Sequence, residues 1–133
     1  MVAASIPGFD LGRYATQNTV LLTSFKRDGT PVGTPVHIAV DGEHAYFRSY
    51  EKAGKTKRIR RNPRVTIAPS TIRGTPTGPA IEARARILEG DEASIAARAI
   101  ARKYPILQRW LIPWYHRIIG TRTVHFEVEP VAG

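Results

Sequence analysis

Cysteine is absent from the 133 residues, which excludes disulfides, thiolate metal sites and a cysteine nucleophile. A reducing cytoplasm is the simplest home for such a chain, although the absence only permits it. Long apolar runs are missing too, and no stretch approaches the ~20 residues a membrane span needs. The opening Met1-Val2-Ala3-Ala4-Ser5 has neither the basic start nor the apolar run of a secretory signal, so export is not expected. Acidic residues are scarce and scattered, and no acid–base pair of carboxylates is visible. His37, His44, His116 and His125 show no metal-ligand spacing; with no cysteine beside them, a structural zinc is not expected. The nucleophile elbow, the phosphate-loop glycine pattern and the Rossmann fingerprint are all missing. An enzyme built from this sequence would take its chemistry from a bound organic cofactor.

What the chain does hold is one core's worth of apolar residues, 42% of the total, on a length that suits one domain over residues 1–133. The pattern is mainly β. Thr19–Lys26 is β-branched and apolar, a strand. Arg27-Asp28-Gly29-Thr30 is a turn whose glycine supplies a positive φ. Pro31–Val40 is the second strand, Asp41-Gly42 the next turn and Glu43–Ser49 the third strand, which makes an antiparallel meander. Gly54–Asn62 reads as a short helix that stops before Pro63, and Arg64–Pro69 as a strand. Ser70–Pro79 is a Thr-, Gly- and Pro-rich loop. Ala80–Leu88 alternates, with Ile81, Ala83, Ala85 and Ile87 on one side and Glu82, Arg84 and Arg86 on the other, a strand with one wet face. Asp91 is placed as N-cap of a helix to Tyr104 with an apolar stripe of Ile95, Ala96, Ala99 and Ile100. Thr121–Glu129 closes as a strand with Val124, Phe126 and Val128 on one face. Phe9–Thr16 is a candidate short helix, and Ile106–Ile119 a helical stretch kinked at Pro113. About six antiparallel strands and a late helix pair describe a small barrel with helices at its edge, of the α+β kind.

The charge is concentrated. Of 20 Lys and Arg, eight lie between Arg48 and Arg64 with only Glu51 against them, and the whole chain carries +9. Such a surplus asks for an anionic partner: nucleic acid, a membrane surface or a phosphorylated ligand. Pro35 cannot donate to a ladder, so its strand belongs at an edge or bulge where backbone groups can meet a ligand. Gly54 opens a helix whose first amides carry partial positive charge, and Lys55 sits in its first turn; together they make a phosphate site. Arg48 and Ser49 end the preceding strand and add a guanidinium and a hydroxyl. Ile59 is the helix's one large apolar residue and pins it to the sheet. The alternative is a solvated basic helix with no ligand. A nucleic-acid-binding module also fits the charge, but no helix-turn-helix, zinc finger or RNA-recognition aromatic pair accompanies it.

Asp28-Gly29, Thr34-Pro35-Val36, Tyr46-Phe47-Arg48, Gly54-Lys55-Thr56-Lys57 and Arg61-Asn62-Pro63-Arg64-Val65, in that order, resemble the pyridoxamine 5'-phosphate oxidase-like flavin-binding split-barrel proteins. The branch most similar is that of the deazaflavin (coenzyme F420)-dependent reductases. The resemblance implies a six-stranded antiparallel split β-barrel with flanking helices, and a homodimer with cofactor sites at its interface. It implies that Thr34, Pro35, Val36 and His37 lie along the cofactor ring. Arg48 and Ser49 would then lie near the ribityl chain and phosphate, with Lys55 on the phosphate and Thr56, Lys57, Arg60 and Arg61 among the cofactor-binding residues. F420 and FMN both have a ring, ribityl chain and phosphate, and F420 adds a run of carboxylates. Lys52, Lys57, Arg58, Arg60 and Arg61 exceed what one phosphate can use, which favours F420 over FMN. The implied activity is hydride transfer with an electron-poor C=C or C=O substrate, a small hydrophobic molecule; a non-catalytic cofactor carrier on the same barrel is the alternative. The elements that hold pyridoxal phosphate in the oxidase are not recognisable, which argues against pyridoxamine phosphate oxidation. His37 is a candidate proton donor or a pocket wall. Trp110 and Trp114, four apart with Leu107, Leu111 and Ile118, suit core or dimer packing, a substrate lid or a membrane-surface contact.

Overall fold

A computed structural model describes residues 17–41, 44–104 and 122–131. The expected helices at Phe9–Thr16 and Ile106–Ile119, with His116 and both tryptophans, lie outside these residues, as does Gly42 of the second turn. Seven strands form one antiparallel sheet: β1 Thr19–Phe25, β2 Pro31–His37, β3 Ala39–Asp41, β4 His44–Tyr50, β5 Arg64–Pro69, β6 Ile81–Leu88 and β7 Thr123–Pro130. Among the described residues two helices accompany them, α1 Gly54–Arg61 between β4 and β5 and α2 Gly90–Lys103 between β6 and β7. The strand order is β2-β1-β5-β6-β7-β4-β3. The first hairpin closes on Gly29 at φ 89°, a conformation open to glycine at no steric cost. The Asp28 carboxylate accepts the Thr30 N–H at 3.0 Å and fixes the turn.

The expected six strands become seven because the second one breaks. Pro31–Val40 was expected to run through; the chain turns at Ile38 instead. β2 pairs with β1 at one end of the sheet and β3 pairs with β4 at the other. Strands joined by a single residue can sit at opposite edges only if the sheet curls round to bring those edges together. Ile38 is that corner. Its side chain is fully buried, and its carbonyl is held from α2, by Lys103 Nζ at 2.8 Å and by the Tyr104 hydroxyl at 2.6 Å.

The core fills the inside of the curl. Val20, Leu22, Phe47, Val65, Ile67 and Phe126 are buried there. Phe47 and Phe126 are direct cross-strand partners and their rings stack at 4.6 Å between centroids. Ile59 of α1 joins this cluster at 3% exposure, as the sequence predicts. Burying such a side chain is worth about 1.5–3 kcal/mol. α2 covers the outer face of the sheet through Ala96, Ala99 and Ile100, packed on Ala39, Tyr46 and Leu88. Two details of α2 differ from expectation. The helix starts two residues earlier than an Asp91 N-cap implies, at Gly90 with φ 58°, so Asp91 lies in the first turn beside Glu92 rather than capping it; both acids there favour the positive end of the helix dipole. Ile95, about 100° round from Ala96, sits at the border of the stripe and is 39% exposed.

The same outer face holds a buried carboxylate. Glu127 is 5% exposed and is satisfied by Arg86 at 2.7 Å and His44 Nδ1 at 2.5 Å. Arg86 also meets Glu92 through two nitrogens. Buried charge of this kind is tolerated because it is paired and hydrogen-bonded.

Candidate functional site at the split in the barrel

The curl does not close. β3 pairs with β4 only through Ala45, Tyr46 and His44, so Phe47–Tyr50 has β7 on one side and, among the described residues, no strand on the other. β2 likewise has β1 on one side only. These two free edges approach one another across an opening. Thr34, Pro35, Val36 and His37 lie on the β2 edge and Arg48 and Ser49 on β4. α1 begins at the end of β4, because the Ala53 N–H donates to Tyr50 O at 3.0 Å and the Thr56 hydroxyl donates to the same carbonyl at 2.7 Å.

Positive charge around this opening is left without anions. Arg48 and Lys55 are both partly buried, and neither has a hydrogen bond or ion pair among the described residues. Burial holds the Lys55 ammonium below its ordinary value, and the neighbouring Arg58 charge lowers it further. Burial does the same to Arg48. His125, the direct cross-strand partner of Arg48, is pushed down by burial first and by the Arg48 charge second. The Ser49 hydroxyl is buried with no hydrogen-bond partner among the described residues. The N-cap of α1 is Ala53, which has no capping side chain, and its first turn holds no acid, so its leading amides keep their partial positive charge. Orphaned buried polar groups of this kind are rare in folded proteins, which makes this surface a candidate site for an anion.

A family model described as pyridoxamine 5'-phosphate oxidase matches residues 12–131. The chain belongs to this family. No curated protein matches it in sequence. Solved structures share the fold at low identity. A candidate pyridoxamine 5'-phosphate oxidase from Listeria innocua is 21% identical with a TM-score of 0.63, covering 90% of this chain and 89% of its own. An F420 reductase is 20% identical with a TM-score of 0.59, covering 96% and 97%. The haem storage protein HutZ of Vibrio cholerae is 16% identical with a TM-score of 0.62, covering 92% and 89%. The family's split barrel thus serves relatives with different named ligands, and the fold alone does not choose among them.

Within this family member, the residues singled out from sequence fall into separate groups. Arg48 and Ser49 do not aim at one atom. Neighbours on a strand face opposite ways; Ser49 follows Ala45 and Phe47 into the core, while Arg48 shares the other face with Tyr46. Thr56 is fully buried and its hydroxyl is spent on Tyr50, so it anchors α1 and does not reach a ligand. Lys57 and Arg61 are exposed. Arg60 lies in a cleft with Arg84 and Arg86 of β6. Arg58 folds back to donate to Ser24 Oγ at 2.7 Å, which ties α1 to β1. On β2, Val36 is buried, Thr34 partly buried, and Pro35 and His37 exposed. His37 stands 3.5 Å from Thr19 Oγ1 and its ring lies 5.2 Å from that of Tyr104. Tyr104 and Lys103, which support the corner behind His37, were missed from sequence. Their one signal was position, at the end of an amphipathic helix.

Proposed function

We propose that the chain is an oxidoreductase that binds coenzyme F420 along the split in the barrel, with FMN as the alternative cofactor. The observation that carries the reading is the pair Arg48 and Lys55: two partly buried cations with no anion among the described residues. A cation taken out of water without a partner is costly; an anionic ligand group offsets that cost. The residues present fit such a group. Lys55 and the leading amides of α1 suit one phosphate, and the Arg48 guanidinium is a second cation, on the face of β4 opposite the buried Ser49. The exposed Lys52, Lys57 and Arg61 are surplus to one phosphate and suit a flexible run of carboxylates, which favours F420. When bound, the deazaflavin supplies hydride chemistry toward an electron-poor C=C or C=O bond. The chain's own part is to hold the ring against the β2 edge, where Pro35 presents no N–H, and to exclude water from a small hydrophobic substrate. Site and family together suit a homodimer with the opening at its interface.

Fluorescence titration tests this reading. F420 should bind much more tightly than FMN, and light scattering should give about twice the 14.7 kDa chain mass. Equal affinity for both cofactors, or tighter binding of duplex DNA at physiological salt, overturns it. Tight F420 binding with no turnover of activated alkenes or carbonyls would leave a carrier instead.

A further inference from the structure

A second basic site lies away from the split. Between the C-terminal half of α1 and β6 is a cleft of about 370 Å³, inside the ~300–1,000 Å³ range of small-molecule sites. Its wall is apolar at Ile59 and Pro63 and cationic at Arg60 and Arg84. Neither guanidinium has an ion pair or hydrogen bond among the described residues. Arg86 also borders the cleft, but its charge is already met by Glu92 and Glu127. Glu129 is the one carboxylate there, directly opposite Arg84 in register and 3.7 Å from Arg86 Nε. The lining itself presents three guanidiniums and, among the described residues, one carboxylate, so the wall facing the cleft is cationic.

The backbone adds a donor. β5 pairs with β6 only as far as Arg64↔Arg84, and the next inward bond is Ala85 N–H to Pro63 O at 2.9 Å. Ladder bonds alternate along an antiparallel strand. The Ile87 amide therefore turns to the same side as that of Ala85, beyond the last β5 residue and into the cleft that Ile87 lines.

We infer that this cleft binds a carboxylate monoanion carrying a small apolar body. Arg60 and Arg84 take the carboxylate, for which the planar guanidinium fork is matched. The Ile87 amide donates to it, and Ile59 and Pro63 cover the apolar part. The cleft is independent of the cofactor reading, since it shares no residue with Arg48, Ser49 or Lys55.

The test is a titration of the full ¹⁵N-labelled chain with phenylacetate, followed by amide shifts. Acetate serves as the probe without the apolar body, and phenethylammonium as the probe of reversed charge. Phenylacetate should give saturable shifts centred on Arg60, Arg84 and Ile87, acetate should bind at least tenfold more weakly, and phenethylammonium should leave these amides unmoved. Arg84→Gln should weaken phenylacetate about tenfold while leaving F420 and FMN titrations unchanged; Lys55→Met should do the reverse, so the two sites fail separately. Both arginines are exposed, and the unsubstituted chain alone maps the site. Shifts confined to Arg48 and Lys55, acetate binding as tightly as phenylacetate, or an Arg84→Gln chain that binds like the parent would each overturn the inference. So would a dimer in which the Ile87 amide is protected from exchange and no anion enters, which would give the cleft to a second copy of the chain.

Discussion

Replacing Lys55 by methionine separates the cost of a charge in the fold from its use in binding. The side chain keeps its length and loses its ammonium. In the free protein that ammonium is partly buried, has no anion among the described residues and lies near Arg58, so its value is held below the ordinary 10.5. Burial and the Arg58 charge make its charged form less welcome in the fold than in the unfolded chain. Lys55→Met should therefore leave the free protein as stable or more stable. The relief should be present at pH 7 and vanish as pH rises through the lowered folded value toward 10.5, where the parent lysine becomes neutral anyway. Cofactor binding should move the other way. A hydrogen bond to a charged group is worth about 1.5–3 kcal/mol, and about 1.4 kcal/mol is a factor of ten, so affinity should fall about ten- to a hundredfold. Urea unfolding without cofactor and fluorescence titration with F420 and FMN measure the two halves. The binding defect should persist in salt, whereas Arg61→Ala, at an exposed position, should cost less and fade as charges are screened. A Lys55→Met chain that is destabilised by more than about 1 kcal/mol and still binds cofactor like the parent would refute the argument, because the ammonium would then serve the fold and not a ligand.

Ile59→Ala should cost about 2–5 kcal/mol in denaturant unfolding, since Ile59 is the one large apolar residue fixing α1 to the core. Tyr104→Phe should cost roughly 0.5–1.5 kcal/mol by losing the hydrogen bond to Ile38 O; the burial that pushes this phenol up to about 12 keeps it a donor at every pH where the protein is studied. His125 is held below its ordinary 6.5 by burial and by Arg48, so the unfolded chain takes up the proton first. Stability should be full above pH 6.5 and fall as pH drops through the lowered folded value, and His125→Gln should flatten that slope in urea midpoints measured from pH 8 to 5.

Alternation and turn chemistry made most of the sheet legible. β5 falls on the residues read from sequence, and β1, β6 and β7 within two residues of them, because β-branched content or alternation marks each and Gly or Pro lies close to its ends. The break at Ile38 was not legible. Val36-His37-Ile38-Ala39 contains no glycine, proline or turn residue, and the corner is imposed from Lys103 and Tyr104, which no local pattern connects to it. At the site, the density of basic residues was readable but their destinations were not. Helical phase sends Arg58 to Ser24, Arg60 to the β6 cleft and Lys55 to the β4 end, so a run of neighbours in sequence becomes three separate surfaces. The opposite facing of Arg48 and Ser49, by contrast, follows from strand alternation alone.

A sheet that stops short of closure leaves two rows of unpaired backbone groups, and such rows are templates for edge-to-edge association between chains. Here both rows are poor templates. On one side β3 is only three residues long and leaves just Phe47–Tyr50 of β4 open beyond it, and on the other β2 carries Pro31 and Pro35, which offer no N–H to an incoming strand. Pro35, proposed to face the cofactor ring, therefore also blunts this edge against self-association. Replacing Pro35 with a β-branched residue would restore a donor on an exposed edge and make that edge a nucleus for aggregation.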